Sequence, residues 1–237
     1  HELNLGGTAI GNSINASDKY ITEVFVELKK ATKLPVKPAN NFMSQTSSQG
    51  DFVTLSQTVT AMALDASKIA SDLRLLTSGP NGGLNEIILP EMQKGSSIMP
   101  GKVNPVLPEL VNQLYFLVSG NNLRIEHCAH GAQLGLGVMG PSIADALIAS
   151  LKISTQVLRK FSSACVLGIK ANEKICRRNL EASTAFATLF TPTMGYDKVA
   201  ELVKESIKTG KSLRDVMTQK KVMSAKKFEE IIKSFKL

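Results

Sequence analysis

The apolar positions of the chain recur mostly at intervals of three and four residues, which places them on one face of an α-helix. Three long stretches have this pattern: about 52–76, a stretch from about 108 towards 120 and beyond, and about 142–168. A short helix is predicted near residues 21–28, and beyond Gly168 further short helices are predicted at about 172–187, 196–208, 212–219 and 224–235.

Strand patterns are absent from the sequence: no run of alternating apolar and polar residues is long enough to predict a useful strand. Long helices followed by short ones are typical of a helical bundle with a small helical domain after it. We therefore expect an all-α fold, with a central helical-bundle domain over residues 1–168 and a small helical C-terminal domain over residues 169–237. No apolar run reaches the ~18 residues that a membrane-spanning helix requires, so we expect no membrane partner.

Residues that favour helix ends mark the limits of these stretches. The two prolines within residues 34–38 exclude a helix interior there. Asn104 is the predicted N-cap of the second long helix, and Ser212 and Ser224 are predicted N-caps of short ones. Gly210 suits the C-terminal end of a helix.

Between the first two long helices, residues 79–105 have no sustained period and contain five glycines. A connection of that length is uncommon in a compact domain unless it has a function. Its last part, GSSIMPGKVNP at residues 95–105, brings hydroxyls, a cation and an amide into eleven residues. This segment is the strongest candidate for a functional loop.

The side chains of this segment indicate anion binding and base chemistry. Lys102 is a fixed cation and Asn104 an amide donor two residues later, a spacing that lets an irregular segment aim both at one carboxylate. Ser96 and Ser97 follow Gly95, which lacks a Cβ and so lets backbone N–H groups approach a ligand. A serine hydroxyl becomes a base only where N–H groups and a cation stabilise its alkoxide. From spacing alone, an ordinary structural loop remains an alternative.

Charge and cysteine content narrow the class of protein. The formal net charge is +8, and residues 201–237 alone hold 10 Lys or Arg against 5 Asp or Glu. These cations are interleaved with apolar residues at helical spacing, which indicates a solvated helix face rather than a nucleic-acid site. The chain has 3 cysteines without close pairing. An odd count favours a reducing compartment, so we expect a cytoplasmic protein.

Three weaker candidates have simple structural explanations. His127, Cys128 and His130 are zinc ligands by residue type, but no fourth ligand is evident and a polar helix surface or subunit contact is favoured. The glycines of residues 131–140 resemble a phosphate-binding loop only superficially, because no strand precedes them. The hydroxyl cluster at 46–49 is interpreted as the N-cap region of the helix that starts near Phe52.

A family resemblance strengthens the functional interpretation of the loop. GSSIMPGKVNP, continued to Glu109, resembles the signature loop of the fumarase/aspartase superfamily. The segment NPVLPELVNQ at 104–113 resembles the aspartate ammonia-lyases, whereas fumarases usually carry other residues after KVNP. The other matching segments are LGGTAIG at 5–11, KIASDLRLLTSGP at 68–80 and GLNEIILPE at 83–91.

The resemblance implies a mechanism and an assembly. It makes Ser96 the general base that removes the Cβ proton of L-aspartate, with Lys102 and Asn104 holding the α-carboxylate and Ser97 as a further substrate-binding residue. Glu109 resembles the acid that pairs with a histidine earlier in the family's chain. The family's fold implies a homotetramer in which three subunits build each active site and the loop closes over substrate. It implies fumarate and ammonia as products, no cofactor and no metal.

The resemblance covers only about the C-terminal half of such a lyase, so we expect the isolated chain to lack part of every active site and to be inactive. Departures from the family pattern occur at Asn81, His130, Gly137 and Gly140. The glycines fall in a stretch expected to be helical, where each costs up to ~1 kcal/mol relative to alanine. Two alternatives remain open: a fumarate hydratase with the same loop, and a non-catalytic helical assembly or basic binding module.

Overall fold

The computed structural model describes residues 2–234, and it confirms the all-α fold. Helices account for nearly all regular structure in this part of the chain, and the strands are two-residue pairs. The helices are α1 Asp18–Thr32, α2 Phe42–Ser47, α3 Gly50–Leu76, α4 Val106–His130, α5 Gly140–Ala164, α6 Glu173–Ala182, α7 Thr191–Met194, α8 Tyr196–Thr209, α9 Leu213–Gln219 and α10 Ala225–Ser234, with 3-10 turns at Val166–Gly168 and Ala185–Phe190.

Two short strand pairs accompany the helices. Strand β1 (Glu2–Leu3) runs parallel to β2 (Lys37–Pro38), and β3 (Ile87–Ile88) runs antiparallel to β4 (Lys170–Ala171). Both pairs are too short to carry an alternating pattern, and for that reason the sequence does not reveal them. No helix in the described part of the chain is both long and apolar enough to cross a membrane.

The predicted helix ends are partly confirmed. Ser212 Oγ accepts a hydrogen bond from the Asp215 amide at 3.1 Å, and Ser224 Oγ accepts one from the Lys227 amide at 3.3 Å, as N-caps do. Gly210 ends α8 with a φ of +66°. The prediction for Asn104 is wrong. Pro105 occupies the position before α4 and has no side-chain cap, so Asn104 lies one residue too early to be the N-cap, and its Nδ2 donates to the Gly95 carbonyl.

Two stretches expected to be helical are interrupted. The helix predicted at 172–187 ends at Ala182, where Ser183 Oγ accepts a hydrogen bond from the Ala185 amide at 3.1 Å and starts a separate turn. Residues 131–139 form the connection between α4 and α5, with a bridge between Gln133 and Leu136. Gly137 therefore lies outside any helix. A glycine at this position, where the family pattern has another residue, does not cost helix stability.

The hydroxyl cluster at 46–49 is structural. Thr46 Oγ1 accepts a hydrogen bond from Asn4 Nδ2 at 2.8 Å and donates one to the Phe42 carbonyl at 2.8 Å. Ser48 Oγ accepts a hydrogen bond from the Gly50 amide at the start of α3. The hydroxyl groups of the cluster thus bond to the chain at both ends of α2. Helix α3 starts at Gly50, two residues before the predicted start at Phe52.

One compact unit consists of residues up to 75 together with residues 89–168. Its main core joins α3, α4 and α5. Ala63 and Ala70 of α3 are fully buried, and their small side chains let the neighbouring helices approach closely. The buried members of this core are Val59, Ala63, Ala70, Leu107, Val111, Leu114, Val118, Val157, Phe161 and Cys165.

The second compact unit consists of residues 76–88 together with the residues from 169 onwards. Its core is centred on three phenylalanines. Phe190 stacks on Phe228 with ring centroids 4.9 Å apart, and Phe186 meets both rings edge-on. From the sequence, residues 76–88 were expected to lie in the first domain. That residues 1–168 and 169–237 are independent domains stays a prediction.

Replacing Phe190 with alanine is expected to destabilise this second unit by about 3–5 kcal/mol, since the ring is completely buried and its removal leaves a cavity. Urea unfolding followed by circular dichroism measures the change. Tyr196→Ala is the matched control, because Tyr196 is 75% exposed and its loss is expected to change the free energy of unfolding by less than about 0.5 kcal/mol. Equal effects of the two substitutions would contradict the prediction.

Candidate active site

The loop at 95–105 is closed at its base by hydrogen bonds to both backbone groups of Gly95. The Gly95 amide donates to the Lys102 carbonyl at 3.0 Å, and Asn104 Nδ2 donates to the Gly95 carbonyl at 2.9 Å. The Lys102 amide donates to the Met99 carbonyl at 3.3 Å and forms an inner turn. The loop therefore has a defined shape although it belongs to no helix or strand.

Only glycine fits at position 95. A Cβ built there would overlap the carbonyl carbon and oxygen of Lys102 and approach the amide nitrogen of Val103. These are backbone atoms, so no side-chain rotation relieves the overlap. The absence of a side chain at Gly95 is what lets the two ends of the loop meet.

The Ser96 hydroxyl is held by two backbone donors. Ser96 Oγ accepts hydrogen bonds from the amides of Ile98 at 3.2 Å and Met99 at 3.1 Å. Both N–H dipoles point their positive ends at the oxygen, which favours negative charge there. The structure shows that the N–H groups at this hydroxyl belong to Ile98 and Met99. That Ser96 acts as a base stays a prediction. Ser97, by contrast, is exposed, and no hydrogen bond of its side chain is found within residues 2–234.

The two predicted carboxylate-binding side chains are arranged differently. Lys102 is exposed, and its ammonium group makes no ion pair with any residue that the structure describes. Asn104 is half-buried and uses one of its two amide protons on the Gly95 carbonyl. The second proton of the Asn104 amide therefore remains for a ligand. An anion that binds Lys102 does not have to displace an acidic partner first.

Glu109 lies in the first turn of α4. It is half-buried, and its carboxylate forms no hydrogen bond or ion pair with the described residues. A carboxylate in the first turn of a helix is stabilised by the exposed N–H groups there. The structure thus brings Gly95, Ser96 and Asn104 together in one loop, whereas it does not join Glu109 to that loop by any bond.

Apolar side chains of the loop face solvent. Ile98 is 84% exposed, and Met99 and Val103 are about half exposed. Exposed apolar side chains mark candidate contact sites. That the loop closes over substrate stays a prediction.

The contacts that shape the loop are not visible in the sequence. The residue type of Asn104 predicts a helix cap and a carboxylate ligand, and it does not predict the bond to the Gly95 carbonyl. Gly95 was expected to let N–H groups approach a ligand, whereas its close neighbour is the Lys102 carbonyl. The only signal in the sequence was the glycine itself, because the identity of its neighbour depends on how the chain returns.

The three cysteines are free thiols. Cys128 Sγ donates to Ser142 Oγ at 3.3 Å, and Cys176 Sγ donates to the Glu86 carbonyl at 3.2 Å. Burial raises the pKa of the Cys165 thiol, which keeps it protonated and unreactive. Among residues 2–234, no group of three or more His, Cys, Asp or Glu side chains is placed to hold a metal ion.

Comparison with known proteins adds to this geometry. The family model described as "Lyase" matches residues 1–120, and the one described as "Fumarase C C-terminus" matches residues 186–237. An aspartate ammonia-lyase from Helicobacter pylori is 44% identical over 232 residues, which are 98% of this chain and 50% of that protein. An aspartate ammonia-lyase from Corynebacterium glutamicum is 42% identical over 98% of this chain and 44% of its own length.

Solved structures show the same relationship. A fumarate lyase:delta crystallin from Brucella melitensis matches with a TM-score of 0.92 and 40% identity, over 98% of this chain and 50% of that one. A class II fumarase from Schistosoma mansoni matches with a TM-score of 0.88 and 32% identity, over 97% of this chain and 51% of that one.

The family-model match over residues 1–120 and the relatives at 42–44% identity show that the chain belongs to the fumarase/aspartase superfamily, and the solved structures show the same fold. Within it, the chain is similar to aspartate ammonia-lyases over nearly its whole length. The chain spans about half the length of the curated relatives it matches.

Proposed function

We propose that this chain forms part of an aspartate ammonia-lyase, which converts L-aspartate to fumarate and ammonia. The observation that carries the proposal is the position of Ser96 Oγ, which accepts two backbone amides at 3.1–3.2 Å inside the closed loop. Such donors lower the cost of a serine alkoxide, the form that is able to take a proton from carbon. The similarity to aspartate ammonia-lyases supplies the substrate.

In the proposed reaction, the Ser96 hydroxyl first loses its proton to solvent, and the resulting alkoxide removes a proton from Cβ of L-aspartate. The electron pair of the broken C–H bond moves towards the adjacent carboxylate and gives an enolate-like dianion. That pair then forms the carbon–carbon double bond as the Cα–N bond breaks, and the protonated α-amino group keeps the Cα–N bonding pair and leaves as ammonia. Cations and N–H donors aimed at the developing charge lower this barrier.

The remaining side chains of the loop are assigned to binding. Lys102 and the second amide proton of Asn104 hold the α-carboxylate, and Ser97 supplies a further hydroxyl to the substrate. Charge-assisted hydrogen bonds of this kind are about twice as strong as neutral ones, so a lysine–amide pair holds a carboxylate firmly. Glu109 is assigned as the partner of a histidine that the other half of the relatives' length supplies. No cofactor or metal has a part in these steps.

The test combines this chain with the polypeptide that corresponds to the other half of its relatives. Fumarate formation from L-aspartate is followed by ultraviolet absorbance. We expect activity from the combined halves and none from this chain alone. Absence of activity with aspartate in a correctly assembled complex would reject the proposal.

A second candidate is hydration of fumarate to malate. It is favoured by the 32% identity to a class II fumarase over 97% of this chain. The reverse reaction separates the two. An ammonia-lyase consumes fumarate only when ammonia is present, whereas a hydratase consumes it in water alone. A non-catalytic helical assembly or basic binding module would show neither activity.

We also propose that the chain assembles into a cytoplasmic homotetramer through its long helices. Large apolar side chains on α3, α4 and α5 are exposed in the single chain, and apolar surface of this kind marks contact sites. Free thiols fit a reducing compartment. The most exposed large apolar side chains on these helices are Phe116, Leu75, Leu123, Ile69 and Ile148.

Replacing Phe116 with aspartate is expected to prevent tetramer formation. The ring is 64% exposed in the single chain, and a carboxylate buried in an apolar contact loses its hydration. Sedimentation velocity of the combined halves measures the assembly state. Tyr196→Asp is the control, because Tyr196 is 75% exposed on the short helix α8 and lies outside the proposed contact. A tetramer that tolerates Phe116→Asp would place the contact elsewhere.

A further inference from the structure

Asn112 is a buried polar side chain between α3 and α4. It is 6% exposed, and the apolar core residues Val111 and Leu114 flank it in the sequence of α4. Burial of an amide without partners costs about 1–3 kcal/mol, so a buried asparagine requires a complete set of hydrogen bonds.

The structure supplies that set from α3. Asn112 Nδ2 lies 2.9 Å from the Ser67 carbonyl, 2.8 Å from Ser67 Oγ and 3.0 Å from Ser71 Oγ, so its two protons are shared among three acceptors. Arg74 Nη1 donates to Asn112 Oδ1 at 2.9 Å. Because arginine only donates, the oxygen of the amide must face Arg74 and its nitrogen must face the serines. The orientation of the amide is therefore fixed by its partners.

A network of this kind specifies position more than it adds stability. A leucine at 112 has a side chain of similar branched shape and would extend the apolar core, whereas the asparagine bonds only when α3 and α4 have one rotation and one axial offset. Fully bonded buried networks define a single packing arrangement in this way. Ser67, Ser71 and Arg74 lie on successive turns of one face of α3. Their bonds to Asn112 therefore depend both on the rotation of α4 about its axis and on its position along α3.

The position of α4 matters for the candidate active site. Glu109 precedes Asn112 by three residues on the same face of α4, which is about 4.5 Å along the axis at 1.5 Å per residue. Glu109 itself makes no bond to the described residues that would hold it in place. The geometry points to Asn112 as a positioning residue, which fixes α4 against α3 and thereby sets the place of the Glu109 carboxylate. This inference rests on the proposed function, in which Glu109 takes part.

The test compares two asparagines of the same helix in the assembled enzyme. Asn112→Leu is expected to lower kcat by about 10- to 100-fold and to change KM by no more than about threefold, because a shift of about 1 Å in a reacting group has an effect of that size. Asn121→Leu is the matched control. Asn121 Nδ2 donates to Ser150 Oγ at 3.0 Å and so joins α4 to α5, twelve residues beyond Glu109. We expect it to leave kcat and KM within about twofold of the wild type. Equal loss of kcat in both variants would show a merely structural role and overturn the inference.

A double-mutant cycle identifies the residue through which Asn112 acts. In a Glu109→Gln background, Asn112→Leu is expected to cause little further loss of kcat, because the carboxylate that it positions is already absent. Full additivity of the two substitutions would overturn the inference. If the wild-type assembly hydrates fumarate and does not form it from aspartate, the proposed function fails, yet the same cycle on the hydration reaction still tests Asn112.

A milder pair of variants covers the case in which Asn112→Leu does not assemble. Ser71→Ala removes one acceptor of the Asn112 amide, and we expect a three- to tenfold loss of kcat, equivalent to the loss of about one hydrogen bond. Ser71→Thr retains the hydroxyl and is expected to restore the wild-type kcat. An unchanged kcat in Ser71→Ala would overturn the inference.

Discussion

Replacing Ser96 with alanine is expected to reduce kcat of the proposed lyase assembly by about 1000-fold or more, the upper part of the range for a general base. The KM for aspartate is expected to stay within a few fold, because Lys102 and Asn104, to which we assign binding of the substrate carboxylate, remain in place. The physical reason lies in the two amides, of Ile98 and Met99, that donate to Ser96 Oγ. They stabilise an alkoxide, and without the oxygen they have nothing to stabilise.

Steady-state fumarate formation measures the effect, and sedimentation checks that the variant has the same assembly state as the wild type. Ser17→Ala is the matched control. Ser17 Oγ accepts a hydrogen bond from the Tyr20 amide at 3.1 Å, so that substitution removes a bond of the same geometry at the start of α1. It is expected to leave kcat unchanged. A Ser96→Ala enzyme that retains more than about a tenth of the wild-type kcat would exclude Ser96 as the base, since general bases contribute at least about 100-fold.

The base chemistry that the sequence predicts at Ser96 stays a prediction, and the sequence does not reveal the groups around its hydroxyl. Serines next to a glycine, followed by a lysine and an asparagine, are residue types that suit base and anion-binding chemistry, but the same residues also occur in ordinary structural loops. The hydrogen bonds that make Ser96 a stronger candidate come from amides two and three residues later. Every residue except proline has a backbone amide, so the sequence does not show which amides will point at the Ser96 hydroxyl.

The long helices were predictable for a different reason. The apolar faces of α3, α4 and α5 repeat over 25 to 27 residues, and a period sustained for that length has no competing interpretation. The connection at 131–139 was not found. Its bend requires a positive φ at Leu134 and Gly135, and leucine gives no sign of that conformation.

The wrong prediction of Asn104 as an N-cap shows that the preference of a residue type does not determine its contacts in the fold. Asparagine before a helix is a strong N-cap signal. Here the same amide donates to the Gly95 carbonyl, nine residues back, and closes the loop instead. Asn112 is similar, because its partners are 38 to 45 residues away along the chain. The identity of such partners follows from how helices pack, and periodicity alone does not determine it.

Replacing Gly95 with alanine is the second substitution for which a large effect is expected. The new methyl group would overlap the Lys102 carbonyl, so the base of the loop must open. Opening breaks the bond from the Gly95 amide to Lys102 and strains the bond from Asn104 to the Gly95 carbonyl. Ser96 and Lys102 then separate by an ångström or more, and we expect kcat/KM to fall by about 100-fold or more.

The position of the defect makes this prediction specific. Both bonds lie in a largely exposed loop outside the core of α3, α4 and α5, so the free energy of unfolding is expected to change by no more than about 1 kcal/mol. Gly82→Ala is the matched control, because a Cβ at Gly82 meets no other atom within 4 Å. Kinetics and urea unfolding of both variants measure the two quantities. Retained activity in Gly95→Ala would mean that catalysis does not require the closed base of the loop. A large loss of stability would instead place Gly95 in the folding core, and its role would then be structural.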